Sequence, residues 1–229
     1  MTDHADNITA NQLIDTISRM ATTSNLKVVG VCGPPAAGKT TIATVLAQTL
    51  NHIGIQTVPV SADGWHLSGA QLAAQQLTDK KGAPDTFDVD GLAATLQRLR
   101  ASTRHHNIYL PNYDRVIHEP IAARTVAPPE TQIVVLEGNY LLCDRDGWGT
   151  IGAMLDCCLY VDTPAKLRHE RLTNRHHAGG KTLRETNDWI RRIDTPNTTL
   201  VEQSRSHATW TCDGQSMLQN LTYLSQPCP

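Results

Sequence analysis

Residues Lys27 to Thr41 read KVVGVCGPPAAGKTT, and no other stretch restricts so tightly what this chain can fold into. Within it, Gly33-Pro34-Pro35-Ala36-Ala37-Gly38-Lys39-Thr40 fits G-x-x-x-x-G-K-[ST], the pattern of a loop that cradles phosphates. The flanks have the required order. Val28 to Cys32 is a short apolar, β-branched run that reads as a buried strand, and Thr40 to Leu50 continues as an amphipathic helix. Gly33 and Gly38 let the backbone turn so that the loop through Pro34, Ala36 and Ala37 wraps a polyphosphate, with the N–H groups of its non-proline residues facing inward. Lys39 is expected to reach the β and γ phosphates, Thr40 to offer its hydroxyl to Mg2+, and Thr41 to donate to the α phosphate. ATP and Mg2+ are therefore the expected cofactors.

The chain of 229 residues is long enough for one large α/β domain. Its net charge of −2, with no long basic run, argues against nucleic acid or a membrane surface as a partner and for a small soluble substrate. No basic start followed by an apolar core opens the sequence and no run approaches membrane-spanning length, so the expected location is cytoplasmic. Six cysteines occur, none in a C-x-x-C pair, and Cys32, Cys157 and Cys158 fall in buried strands as small hydrophobes without a role. The pairs His105-His106 and His176-His177 have no partner at metal-ligand spacing and read as solvated histidines.

Four further apolar runs punctuate the chain after the phosphate loop, and two of them lead into an acid that bears on function. Ile55 to Val60 leads into Ser61-Ala62-Asp63-Gly64-Trp65-His66, which puts Asp63 at the carboxyl edge of a parallel sheet, beside the phosphate loop. Ile133 to Leu136 ends in Glu137, the candidate for supporting Mg2+. Cys157 to Val161 is a further strand, and Ala208 to Cys212 a last edge strand. Thr9 and Gln12 form a capping box for a helix to about Thr22; other helices are expected over Leu67 to Leu77, from Asp88 to about Arg100, and over Met217 to Leu224. Ile108 to Pro120, rich in proline and polar residues, reads as an extended excursion over the site.

Pro164 opens a helix in which Arg168, Arg171 and Arg175 share a face. Gly179-Gly180 follows as a hinge, then a helix from about Leu183 to Ile193, and Pro196 starts another. Cations around a glycine turn between helices suit a lid over ATP; a solvated basic face is the alternative. The fold class is thus α/β, a P-loop NTPase three-layer fold with a mainly parallel central sheet, helices on both faces and a helical lid. Residues 1–229 form one domain, with an N-terminal helix in 1–22, an acceptor-side excursion in 66–125 and the lid in 166–194.

No guanine-reading N-K-x-D or T-K-x-D element is present. A kinase needs an acid beside the γ phosphate, an acceptor pocket and a cationic lid, and each has a candidate. Asp63 would take the proton of an acceptor hydroxyl. A nucleotide kinase, which phosphorylates a phosphate, needs no such base; an ATP-dependent regulatory module would need no acceptor at all.

These motifs resemble the P-loop kinases that include uridine kinases, phosphoribulokinases and type I pantothenate kinases. The resemblance runs from about Lys27 to Val201 through the phosphate loop, Asp63-Gly64-Trp65-His66, Lys81 to Asp88, Tyr113 to His118, Leu136-Glu137-Gly138 and the lid arginines. In that family the acid at the Asp63 position is the catalytic base, and the lid arginines Arg171 and Arg175 would clamp the transferring group, Arg171 also touching ATP. Tyr113-Asp114 with His118 looks like the uridine kinase segment that meets the nucleobase, although the ribose-gripping acid of those enzymes falls on Gly82. Asp63-Gly64-Trp65 and the Lys81 run, by contrast, look like pantothenate kinase. The overall pattern, with Trp189, Arg192, Asp194 and Asn197, resembles short uridine kinase-like or sugar kinase-like proteins. The implied acceptor is a nucleoside or sugar, with pantothenate as the alternative, bound by Asp63, His66, Lys81, Tyr113, His118, Arg192 and Asn197. A homodimer is one assembly that the resemblance leaves open.

Overall fold

The computed structural model describes residues 5–23, 25–101 and 105–225, so Cys228 lies outside the described residues. In chain order the elements begin β1 (Asp6–Asn7), α1 (Ala10–Ala21), β2 (Lys27–Cys32), α2 (Lys39–His52), β3 (Thr57–Ser61), α3 (Gly69–Ala74) and α4 (Val89–Arg100). They continue with β4 (Ile108–Asp114), β5 (Glu119–Ala127), β6 (Ile133–Gly138), α5 (Trp148–Ala153), β7 (Cys157–Asp162) and α6 (Ala165–Ala178). The last are α7 (Leu183–Trp189), α8 (Thr195–Gln203), β8 (Trp210–Asp213) and α9 (Gly214–Leu224). Six strands pair in the order β1-β8-β7-β2-β6-β3, every pair parallel.

Each central strand is apolar on both faces because each face has its own core. Val28, Cys32, Val134, Leu136, Cys158 and Tyr160 pack toward α4, α5 and the β4–β5 ribbon. Val29, Val31, Ile133, Val135, Leu159 and Val161 pack toward α1, α2 and α9, where Leu13, Ile17, Leu46, Leu50 and Leu221 are wholly buried. Burying one such leucine or isoleucine contributes roughly 1.5–3 kcal/mol, so these two layers hold the sheet firmly between them. The described cysteines are free and buried, and burial pushes the Cys32 thiol up to about 12, in keeping with a packing role. Helix α1 starts at the expected capping box, with Gln12 N–H donating to the Thr9 hydroxyl and Thr9 N–H to the Gln12 side chain. Among the described residues no helix is long and apolar enough to cross a membrane.

Three expectations change. The excursion over Ile108 to Pro120 is one arm of an antiparallel ribbon, β4 paired with β5, which stands apart from the main sheet. Pro111, which has no N–H to give, sits where the ladder slips between Leu110 and Asn112. The last strand, β8, is not an edge, because the two residues of β1 pair outside it. The helix expected over Leu183 to Ile193 stays regular only to Trp189; Ile190–Asp194 is π-helical and runs directly into α8.

Candidate active site

Strand β2 delivers the phosphate loop to the carboxyl edge of the sheet and α2 leads away from it. Gly38 holds φ +98°, a conformation that glycine adopts without strain, and Ala36 sits at +63° in the same left-handed region. The loop folds back on itself: Ala37 N–H donates to the Pro34 carbonyl, and the buried Lys39 ammonium donates to that same oxygen at 2.9 Å. Pro35, Ala36, Gly38, Lys39, Thr40 and Thr41 line a cavity of about 380 Å³. Gly33, Pro34 and Ala37 are buried beneath it, where the Thr163 hydroxyl donates to the Ala37 carbonyl at 2.9 Å.

Across this cavity lies Glu137, at the end of β6 beside β2. Its Oε1 accepts from the Thr40 hydroxyl at 3.0 Å and from the Ser61 hydroxyl at 2.5 Å. Desolvation, and then repulsion from Asp63, raises its pKa, while desolvation lowers that of Lys39. A divalent cation beside Glu137 and a polyphosphate beside Lys39 would each favour the charged form that burial disfavours. The donor set fits Mg2+ for a second reason: it offers hard oxygen atoms and few of them, and this ion keeps several waters and takes phosphate oxygens. Among the described residues no cluster of three or more His, Cys, Asp and Glu could hold a metal by itself.

Asp63 leaves β3 in a short 3-10 turn, Ala62–Trp65, whose start is held by the Ser61 side chain. The β4 backbone presses on this turn, so closely that a Cβ on Gly64 would meet the Pro111 carbonyl at 2.7 Å. The ribbon thereby carries Arg115 to the acid, Nη2 to Asp63 Oδ2 at 3.2 Å. No motif in the sequence marks Arg115; the only hint is its place next to Tyr113-Asp114. Its turn is shaped by Asp114, which accepts from the N–H groups of Val116 and Ile117 at 2.8 and 3.2 Å and pairs with Arg124.

Beyond Asp63 opens a second cavity, of about 520 Å³. Its aromatic wall comprises His66, Phe87, Tyr113 and Trp189. The His66 ring lies 3.9 Å from Phe87 and 5.0 Å from Tyr113 between centroids, and its Nδ1 donates to the Asp63 carbonyl at 2.9 Å. Burial lowers the His66 pKa, which favours the neutral ring. Lys81 and His118 close one side, with the Lys81 ammonium donating to the His118 carbonyl at 2.6 Å. Asn197 lies deeper, donating to the Gly82 carbonyl, which also accepts from the Tyr140 hydroxyl at 2.5 Å.

The three α6 arginines divide. Arg171 lines the phosphate cavity, donating to the Ala36 carbonyl at 3.2 Å, and Arg175 lines both cavities. Arg168 is buried and engaged by Glu202 and the Thr163 carbonyl, so it anchors α6. Arg192 is exposed and borders an adjoining surface cavity with Glu185, Asp188 and Arg191, which shares Gly179, Lys181 and Trp189 with the aromatic cavity described above; Arg192 itself lines neither cavity that contains Asp63. His176, expected to be solvated, is half-buried and pairs with the buried Asp194 at 2.8 Å. Asn139 and Pro35, neither of them expected as acceptor-side residues, line both cavities. Asp63, Arg115, Arg175, Pro35 and Asn139 are thus the shared wall between the cavity of the glycine loop and the aromatic one.

The model of the Phosphoribulokinase / Uridine kinase family matches residues 28–208. The uncharacterised protein YggC of Escherichia coli K12 is 37% identical over 180 residues, covering 76% of this chain and 72% of its own. A provisionally named uridine kinase of Schizosaccharomyces pombe is 30% identical over 184 residues, covering 77% of this chain and 78% of its own. Among solved structures, a provisionally named fructose transport system kinase from a Silicibacter species superposes with a TM-score of 0.81. That likeness covers 90% of this chain and 99% of the other, at 28% identity.

Proposed function

This chain belongs to the Phosphoribulokinase / Uridine kinase family, and we propose that it transfers the γ-phosphoryl group of ATP to a hydroxyl of a small metabolite of the sugar or nucleoside class. The observation that carries this reading is Asp63 in the common wall of the two cavities. An acid in that position meets both the end of a polyphosphate and the hydroxyl of whatever occupies the aromatic chamber.

Lys39 and the loop N–H groups would hold the β and γ phosphates, and Arg171 and Arg175 would cap them from the lid side. Thr40 and Glu137 would hold Mg2+, which supplies charge neutralisation to the phosphate oxygens. Asp63 orients the acceptor hydroxyl and receives its proton as the oxygen bonds to the γ phosphorus and the bond to the bridging oxygen of ADP breaks. Because such a transition state is loose and the proton leaves late, an ordinary carboxylate suffices and its position matters most. His66 supports it by fixing the Asp63 backbone through the Nδ1 hydrogen bond. Phe87, Tyr113 and Trp189 offer flat apolar faces for a ring-sized acceptor and exclude water around it.

The test is ADP release from Mg-ATP across a panel of sugars, sugar alcohols, nucleosides and pantothenate. The expected result is stimulation by one acceptor class, lowered by roughly 10²–10⁴-fold in Asp63→Asn while ATP binding persists. Slow hydrolysis that no acceptor alters, in wild type and variant alike, would favour a regulatory ATP-binding protein instead.

A further inference from the structure

Lys39 and Lys81 are held in the same way. Each ammonium donates to one backbone carbonyl, Lys39 to Pro34 at 2.9 Å and Lys81 to His118 at 2.6 Å. Among the described residues neither has a carboxylate at ion-pair distance. One carbonyl uses one of three donors, so each ammonium has two N–H groups left to give. For Lys39 the missing counter-charge is a phosphate of the nucleotide. Lys81 is part of the other chamber, half-buried, with its ammonium 5.5 Å from the centroid of the Tyr113 ring. A ring face and one carbonyl satisfy an ammonium only in part, which leaves room for an anion beside it.

The remaining charges of the chamber point the same way. Its two acids are engaged, Asp63 by Arg115 and Asp194 by His176. Lys181, from the lid side, lies 4.8 Å from the centroid of the Trp189 ring; Glu185 acts on it electrostatically, without an ion pair among the described residues. The chamber therefore presents more fixed positive charge than the transferring phosphoryl group, served by Arg175 and Lys39, accounts for. We propose that the phosphate acceptor carries an anionic group, a carboxylate or a phosphate ester, and that Lys81 receives it. The inference rests on the kinase reading above and narrows it: a neutral sugar or nucleoside leaves Lys81 without its partner, whereas a sugar acid or sugar phosphate satisfies it.

Matched acceptors test this. ADP release is measured with polyhydroxy acids against their neutral amides, and with sugar phosphates against the free sugars, the two arms separating carboxylate from phosphate. The expected result is a marked preference for the charged member of one arm. In Lys81→Met the KM for that acceptor rises about 10- to 100-fold, the size of one charge-assisted hydrogen bond, and the preference over its neutral partner shrinks by the same factor. Lys81→Arg, which keeps the charge, restores part of the preference; a folding defect would not be rescued in this way. Equal use of charged and neutral members, or a preference that Lys81→Met leaves intact, would overturn the inference while leaving the kinase reading in place. ADP release that no acceptor of either kind moves would overturn both.

Discussion

The two cavities that meet at Asp63, proposed above as a phosphate chamber and an acceptor chamber, are built in opposite ways. The first is made by the ends of three adjacent parallel strands, β2, β6 and β3, with a loop and helix that continue β2 without interruption. The second is assembled from the 3-10 turn after β3, the segment around Lys81 and Phe87, the tip of the β4–β5 ribbon, and the turns on either side of α7. Strand ends locked in a two-sided core offer fixed geometry; turns and a ribbon tip offer variety. Chemistry common to a family belongs on the former, and choice of acceptor on the latter.

The division makes its strongest statement about Lys39. Lys39→Met should lower turnover roughly 10²–10³-fold or more with every acceptor that the protein accepts, because the lost charge acts on the group being transferred. A loss that differed between acceptors would mean that the two chambers are not separable. Next in size comes Arg115→Ala. Its guanidinium is brought to Asp63 by the ribbon, so the expected effect is about 10- to 100-fold on kcat/KM for the acceptor, with the KM for ATP far less affected. A comparable change in both Michaelis constants would show that Arg115, which lines both cavities, serves the two equally.

Legibility in the sequence divides along the same line. The phosphate loop is contiguous, so pattern alone singles out Lys39 and Thr40, the rule that ligands gather at the carboxyl ends of parallel strands singles out Asp63 and Glu137, and all four line one cavity. Arg115 is not legible, because nothing in its spacing reveals that Pro111 and the bare Cα of Gly64 let the ribbon lie against the Asp63 turn. Arg192 enters through the resemblance alone, which carries no helical register. The sequence reads as a regular helix to Ile193, whereas the π-helical stretch Ile190–Asp194 adds a residue to the turn and rotates the residues after it by about 100°. Asp194 and Asn197 then come to the acceptor chamber and Arg192 stays outside it. His176 reads as solvated for want of its partner, since Asp194 lies one helix further along the chain.

A smaller effect is expected where the acceptor chamber is joined to the core. The Gly82 carbonyl is held by the buried Tyr140 hydroxyl and by Asn197, and it adjoins Lys81. Tyr140→Phe should lower unfolding stability by about 1 kcal/mol, one hydrogen bond, and raise the acceptor KM a few-fold by loosening the Lys81 backbone. Thermal melts with acceptor kinetics check this. Lost stability at unchanged KM would show that Lys81 is positioned by its His118 contact alone.

The smallest expected effect concerns pH. The hydrogen bond from Arg124, then those from the N–H groups of Val116 and Ile117, hold the Asp114 carboxyl down at about 2, against an ordinary value of 3.8. A depressed folded-state value means that the folded protein gains from the ionised form. That gain is complete above about pH 4 to 5 and disappears as the pH falls toward 2. Asp114 shapes the turn that carries Arg115, whereas the phosphate chamber rests on buried strands with no part in this ion pair. Acid should therefore loosen the ribbon tip first. Amide hydrogen exchange between pH 5 and 3 should show Val116 and Ile117 losing protection before the β2 and β6 strands, beyond the intrinsic change in exchange rate. In Asp114→Asn, which cannot ionise, that early loss should already be present at neutral pH and should no longer depend on acid. If the tip and the strands lost protection together in both proteins, the two chambers would form one cooperative unit, and their division would be chemical without being mechanical.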